Sequence, residues 1–161
     1  MSQPPGKWRM AAAAALLMTG AAARAAEPAG YLENYPRASA MIETHRACHI
    51  LELYLAVTPQ QRAQGLMFIR ELGEYEGMLF STSQPAMASM WMKNTYISLD
   101  MLFITADGSI AGIAASTTPL SEATITAPKP VTGVLELSAG FAARHRVRAG
   151  DRFAMLTPTA P

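Results

Sequence analysis

Leu51, Leu53, Leu55 and Val57 alternate with Glu52, Tyr54 and Ala56, the two-residue period of a strand with one buried face, and predict a strand over residues 50–57. Thr58 and Pro59 follow, with Gln61 three positions after the threonine. This is a capping box with proline pre-organised for the first helical position, and it predicts a short helix over residues 59–64 ended by Gly65. Leu66, Met67 and Phe68 return to the core. Short apolar runs predict further strands at residues 77–80, 88–92 and 99–105, and Met101-Leu102-Phe103-Ile104 implies burial on both faces. Asp107-Gly108 predicts a two-residue hairpin turn of type I′, leading into a Gly- and Ala-rich strand over residues 109–116. After an irregular stretch at residues 119–130, a strand is expected at 131–137 and a helix capped by Ser138 at 139–144. Ala149-Gly150-Asp151 then turns the chain into a last strand at 152–156.

Helices are few and short in this pattern. It predicts a mainly β fold with two short helices, either a compact, strongly twisted sheet or a partly open small barrel. Residues 50–157 form the single expected domain, and residues 158–161 a flexible C-terminal tail. Residues 26–49 show no sustained periodicity and read as an approach segment lying across the domain. The first 25 residues read as an export signal: Lys7 and Arg9 supply the positive start, residues 10–23 the apolar stretch, and Ala23-Arg24-Ala25 a small-x-small cleavage site. The apolar run is short for a bilayer span. The expected location is therefore the periplasm or another extracytoplasmic space, without stable membrane insertion after cleavage. The alternative is an inner-membrane anchor formed by an uncleaved leader.

Charge narrows the partners. The whole chain carries a formal +1, but Lys7, Arg9 and Arg24 belong to the leader, and the remainder is mildly acidic. Nucleic acid, whose phosphates demand a concentrated basic surface, is not an expected partner. A local cluster of Arg144, His145, Arg146, Arg148 and Arg152 reads as solvated surface, with an anion or headgroup contact as the alternative. Cys48 is the single cysteine, so no intrachain disulfide can form, and a buried thiol is expected. His45 and His49 are four apart without an HExxH pattern. No CxxC, phosphate-gripping glycine loop or nucleophile–base motif is present. The sequence thus implies no catalytic residue, metal site or cofactor.

Candidate chemistry concentrates in residues 87–100, where Lys93, Asn94, Thr95, Ser98 and Asp100 sit inside the most apolar region of the chain. Polar groups so placed are paired, hydrated or used. Strand alternation sends Met90 and Met92 one way and Trp91 and Lys93 the other, so that Trp91 can cover the aliphatic stem of Lys93. Asp100 and Glu136, each between apolar neighbours, are the candidate carboxylate partners. One reading is a structural network; the other is a small pocket in which Trp91, Lys93, Asn94, Thr95, Asp100 and Glu136 receive a small polar or anionic ligand. The preferred expectation is a noncatalytic ligand-binding or accessory domain acting through this polar cleft. The alternatives are a small-substrate enzyme such as a hydrolase, a Cu(I)-binding protein using Met87, Met90 and Met92, and a structural or partner-binding domain. The methionines otherwise read as core filler.

Gly65-Leu66-Met67, Gly77-Met78-Leu79-Phe80, Met90-Trp91-Met92-Lys93-Asn94-Thr95, Leu99-Asp100, Glu136 with Ala139-Gly140, and Gly150-Asp151 together resemble the family known as domain of unknown function 192. The resemblance covers about residues 51–156. It implies a small, mostly β domain, often exported or membrane-associated, and carries no established activity or catalytic residues. The chain departs from the family pattern at Gln61, where an acidic residue is common, and at Tyr96-Ile97-Ser98, where a proline often helps form the turn.

Overall fold

A computed structural model describes residues 30–156. The expected leader and C-terminal tail lie outside the described residues. Nine strands and two α-helices follow a 3-10 turn at Tyr31–Asn34: β1 (Arg37–Glu43), β2 (Cys48–Leu55), α1 (Pro59–Gln64), β3 (Glu76–Ala86), β4 (Ser89–Met90), β5 (Leu99–Ile104), β6 (Ile110–Ala114), β7 (Ile125–Thr126), β8 (Val131–Ser138), α2 (Phe141–His145) and β9 (Arg152–Met155). Seven strands form one twisted mixed sheet in the order β6-β5-β8-β3-β2-β1-β9, while β4 and β7 make a separate antiparallel ribbon. Only β2 and β3 run parallel in the large sheet, joined by the connection that contains α1.

The sheet is not closed into a barrel. Its two edges touch at one corner, where Ser109 bridges Arg152 and the Ile110 amide donates to the Asp151 carbonyl at 2.8 Å. Twist gives the sheet two buried faces. On one, Ile42, Leu51, Leu53, Leu102, Ile104, Leu135 and Leu137 pack with Phe141 and Val147 of the α2 region. On the other, Tyr54, Met78, Met101, Phe103 and Val134 are covered by Leu66 and Ile69 after α1 and by Met92 after the ribbon. Burial on both faces accounts for the continuous apolar run of β5, all six of whose residues are buried.

Helix α1 has the bounds read from the sequence. The Thr58 hydroxyl accepts from the Gln61 amide at 3.1 Å, and the Gln61 side chain accepts from the Thr58 amide at 3.0 Å. Four other expectations need correction. Residues 26–49 are more than an approach segment: β1 pairs along its whole length with β2 and along part of it with β9. Its inward positions include Ala40, whose small side chain weakens the alternation that sequence can show. At Asp107-Gly108 only Gly108 takes positive φ (81°), so the turn is not type I′. The Asp107 carboxyl instead accepts from the Thr105 hydroxyl at 2.6 Å and the Ser109 amide at 3.2 Å, and this holds its pKa down to about 2. Ser138 does not cap α2; its hydroxyl donates to the Leu72 carbonyl at 2.9 Å, and the helix begins at Phe141 behind Gly140. Cys48 is exposed, because it lies at the hairpin end of β2 rather than in the core.

Candidate functional site

The cleft originates in a break in sheet register. β3 and β8 pair regularly from Gly77–Leu137 to Ser81–Gly133, and pairing resumes only at Ala86–Val131. The extra residues of β3 bulge away from its partner, and the Thr82 hydroxyl donates to the Gln84 carbonyl at 2.8 Å within the bulge. A chamber of about 330 Å³ opens here. Phe80, Val131 and Val134 line it from the sheet, Met87, Met90 and Trp91 from the ribbon side, and Arg62 and Ala63 from α1.

Adjoining the chamber is a compartment of about 30 Å³ whose lining includes Lys93, Thr95 and Glu136. Arg62, Phe80, Met90 and Trp91 line both spaces, so the two form one cleft with an apolar body and a polar end. The smaller space has room for a water or a small polar head group.

The backbone after β4 builds the polar wall. Met92 is fully buried, and its amide donates to the Ser121 carbonyl at 2.9 Å. Asn94 takes a left-handed conformation (φ 55°), which asparagine tolerates better than most residues, and its carbonyl accepts from the Phe68 amide at 2.8 Å. That bond ties the segment leaving α1 to the ribbon exit. The Thr95 amide donates to the Met92 carbonyl at 3.0 Å, and its hydroxyl donates to the Lys93 carbonyl at 3.3 Å. Met92 is buried and 54% of Trp91 is exposed, but the strand expected over residues 88–92 is only the two residues of β4, and Met90 lines the cleft together with Trp91 and Lys93 instead of facing away from them. The Lys93 ammonium stands 6.0 Å from the Trp91 ring centroid.

The expected carboxylate partners divide between the two faces of the sheet. Asp100 pairs across β5 with Leu137 and lies on the face filled by Leu102 and Ile104, so it is outside the cleft. Its two oxygens accept from the Ser116 amide at 2.8 Å and the Ala142 amide at 2.9 Å. A strand residue thus caps α2 from 42 positions away. Lys93 pairs with neither Asp100 nor Glu136. Its partner is Glu122 at 3.8 Å, because the lysine head remains at the surface.

Glu136 lies on the cleft face between Met78 of β3 and Met101 of β5. It is 4% exposed, and no hydrogen bond or ion pair to its carboxyl occurs among the described residues. Burial alone pushes its pKa up to about 8, so the group is mainly neutral at pH 7. The structure therefore brings Trp91, Lys93, Thr95 and Glu136 to one cleft, leaves Asn94 beside it as a turn residue, and takes Asp100 away. Arg62 and the chamber wall at Phe80, Val131 and Val134 escape sequence reading because β3 and β8 meet only in the folded sheet.

Among the described residues, no group of three or more His, Cys, Asp or Glu is arranged to hold a metal ion. The Met92 sulfur accepts the Thr117 hydroxyl at 3.2 Å inside the core, whereas Met87 is exposed at the chamber rim. The methionines of residues 87–92 therefore do not share one environment.

Fold and cleft define a small open-sheet domain with an amphipathic cavity beside an irregular ladder. The profile of the family DUF192, described as an uncharacterized ACR, matches residues 40–155, and the chain belongs to this family. A crystal structure of a protein from Sinorhizobium meliloti 1021, provisionally described as a transcription regulator, superposes with a TM-score of 0.73 at 44% identity, covering 75% of this chain and 95% of that one. A protein of unknown function from Novosphingobium aromaticivorans DSM 12444 gives a TM-score of 0.71 at 38% identity, covering 73% of this chain and 84% of the other. No curated protein matches the chain.

Proposed function

We propose that this chain is an exported, noncatalytic binding domain whose cleft between α1, the β4–β7 ribbon and the β3–β8 ladder holds a small organic ligand. The observation carrying the reading is Glu136, a carboxyl on a residue only 4% exposed, which lines the small polar compartment beside a mostly apolar chamber. Its oxygens line the compartment, where a ligand or water can hydrogen-bond to them. The cavity lies at the lower end of the range for ligand pockets, about 300–1,000 Å³.

A binding role is favoured because the carboxyl shares its compartment with the cations Arg62 and Lys93 and with Thr95, and among the described residues no histidine lines either space. Arg144 and His145 are engaged by Glu74 at 3.0 and 3.2 Å, which reduces the basic cluster available to phosphates.

The export component rests on Lys7, Arg9 and the apolar residues 10–23. Among the described residues no helix is long and apolar enough to cross a membrane. Binding is tested by titrating the isotopically labelled chain with a panel of small acids, amines, amides and alcohols. Saturable amide shifts clustered at Phe80, Trp91, Gly133 and Glu136 support the reading; no saturable shift at these positions rejects it. Export predicts a mature N-terminus at Ala26 by mass spectrometry, whereas an intact N-terminus in the membrane fraction selects the anchor.

A further inference from the structure

Resting on the cleft reading above, we propose that the occupant is a small organic acid, with its carboxylate among Arg62, Lys93, Thr95 and Glu136 and its apolar body in the chamber between Phe80, Met90 and Trp91. The two ends of the cleft demand unlike chemistry. Phe80, Met90, Val131 and Val134 make most of the chamber wall apolar, Trp91 supplies a half-exposed aromatic wall, and the polar residues there are Arg62, which also lines the small compartment, and the hydroxyl side chains of Ser81, Thr82, Ser89 and Thr132. A chain or ring fits these surfaces through burial of apolar area.

At the narrow end the balance is positive. Arg62 donates to the Val57 carbonyl at 2.7 Å but has no carboxylate within ion-pair distance among the described residues. Lys93 is half exposed and faces Glu122, which does not line the cleft. The carboxyl of Glu136 is kept mainly neutral at pH 7 by burial, so it contributes an O–H donor and little negative charge. Arg62 from α1 and Lys93 from the ribbon exit are the charged groups sharing its compartment; Met78 and Met101 flank it on the sheet.

A ligand carboxylate answers both features. It accepts a charge-assisted bond from a neutral carboxyl and from a guanidinium, the latter with a second N–H to spare. An ammonium would enter beside two cations and find no ionised carboxylate lining the compartment at neutral pH. A primary amide would accept from Glu136 but draw no charge attraction from Arg62. Three probes with the same apolar body separate these classes: hexanoate, hexylammonium and hexanamide.

The test titrates each probe into the full chain at pH 6.5, monitored by amide shifts and calorimetry. Hexanoate is expected to bind at the cleft and to exceed the other two by about tenfold or more, the scale of one charge-assisted hydrogen bond. Arg62→Gln should weaken hexanoate by a similar factor and leave hexanamide unchanged. Because Arg62 also bonds to Val57, its thermal melting is measured in parallel, and Lys93→Gln provides a second charge variant away from that bond. Raising the pH to 9 should ionise Glu136 and expel hexanoate from the unmodified chain, whereas Glu136→Gln should retain it. Tighter binding of hexylammonium, or an Arg62→Gln variant that melts normally and binds hexanoate unchanged, overturns the acid assignment and leaves the cleft reading intact. Silence from all three probes also overturns the acid assignment, and the wider panel then decides separately whether the cleft binds anything.

Discussion

Replacing Glu136 with glutamine tests whether the carboxyl at the cleft end is held neutral by the fold. Its pKa rises from an ordinary value of 4.5 to about 8. The unfolded chain therefore releases this proton above about pH 4.5 while the folded chain retains it, and through that window the native state binds more protons. Stability must fall as pH rises, at about 1.4 kcal/mol per unit when the difference approaches one proton. The cumulative cost is on the order of 3 kcal/mol at pH 7, and it levels off above pH 8. Glu136→Gln cannot titrate. The stability of the variant minus that of the unmodified chain is expected to climb from pH 5 to pH 8 by on the order of 3–4 kcal/mol. Urea unfolding followed by circular dichroism across pH 5–9 measures both proteins, and subtraction removes the titrations they share. A flat difference profile, or one that falls with pH, would refute the assignment of a raised pKa.

Three further outcomes follow from the geometry. Asp100→Ala should orphan the buried amide of Ala142, at about 1–3 kcal/mol by urea unfolding, and release the part-buried amide of the exposed Ser116, which water can serve at a smaller cost; Asp100→Asn should recover only part of this, because its amide nitrogen cannot accept. A loss below about 1 kcal/mol in the alanine variant would contradict the capping role. Thr58→Ala removes the hydroxyl of the α1 capping box and should cost about 1 kcal/mol by the same assay. Exposed Cys48 should react with one equivalent of Ellman's reagent in the native chain; a thiol detected only after denaturation would show that it is covered.

Local chemistry made some features readable and nonlocal pairing concealed others. The Thr58–Gln61 box specifies α1 within four residues, and the apolar run of β5 announces burial on both faces. Ser138 has the right side chain for a helix cap, yet Asp100 performs that service from another strand. A linear search cannot distinguish the two, because the choice is made when β5 packs beside β8. The same limitation applies to Asp100 and Glu136 as proposed companions. Each is an acidic residue between apolar neighbours, but sheet registration sends one beneath α2 and the other into the cleft. Trp91 and Lys93 do line the cavity, but so does Met90, because the strand stops at Met90 and two-residue alternation does not govern the residues after it. Arg62 and the bulge after Ser81 were not legible as site components; one belongs to a capped helix, and the other acquires its shape from the register shift against β8.

The position of β8 between β5 and β3 also has a consequence for the order of assembly. During synthesis both neighbours emerge before Val131, so each waits with an unpaired edge for the strand that joins them. β1 likewise waits on one side for β9, at the far end of the described chain. Such long-range closure is entropically costly and leaves strand edges open to pairing with other chains. A product cut before Val131 is therefore not a smaller version of this fold but two strand groups without their seam, and loss of β9 opens the corner where the two sheet edges meet. The whole sheet can be joined only after β8, and its border against β1 only after β9.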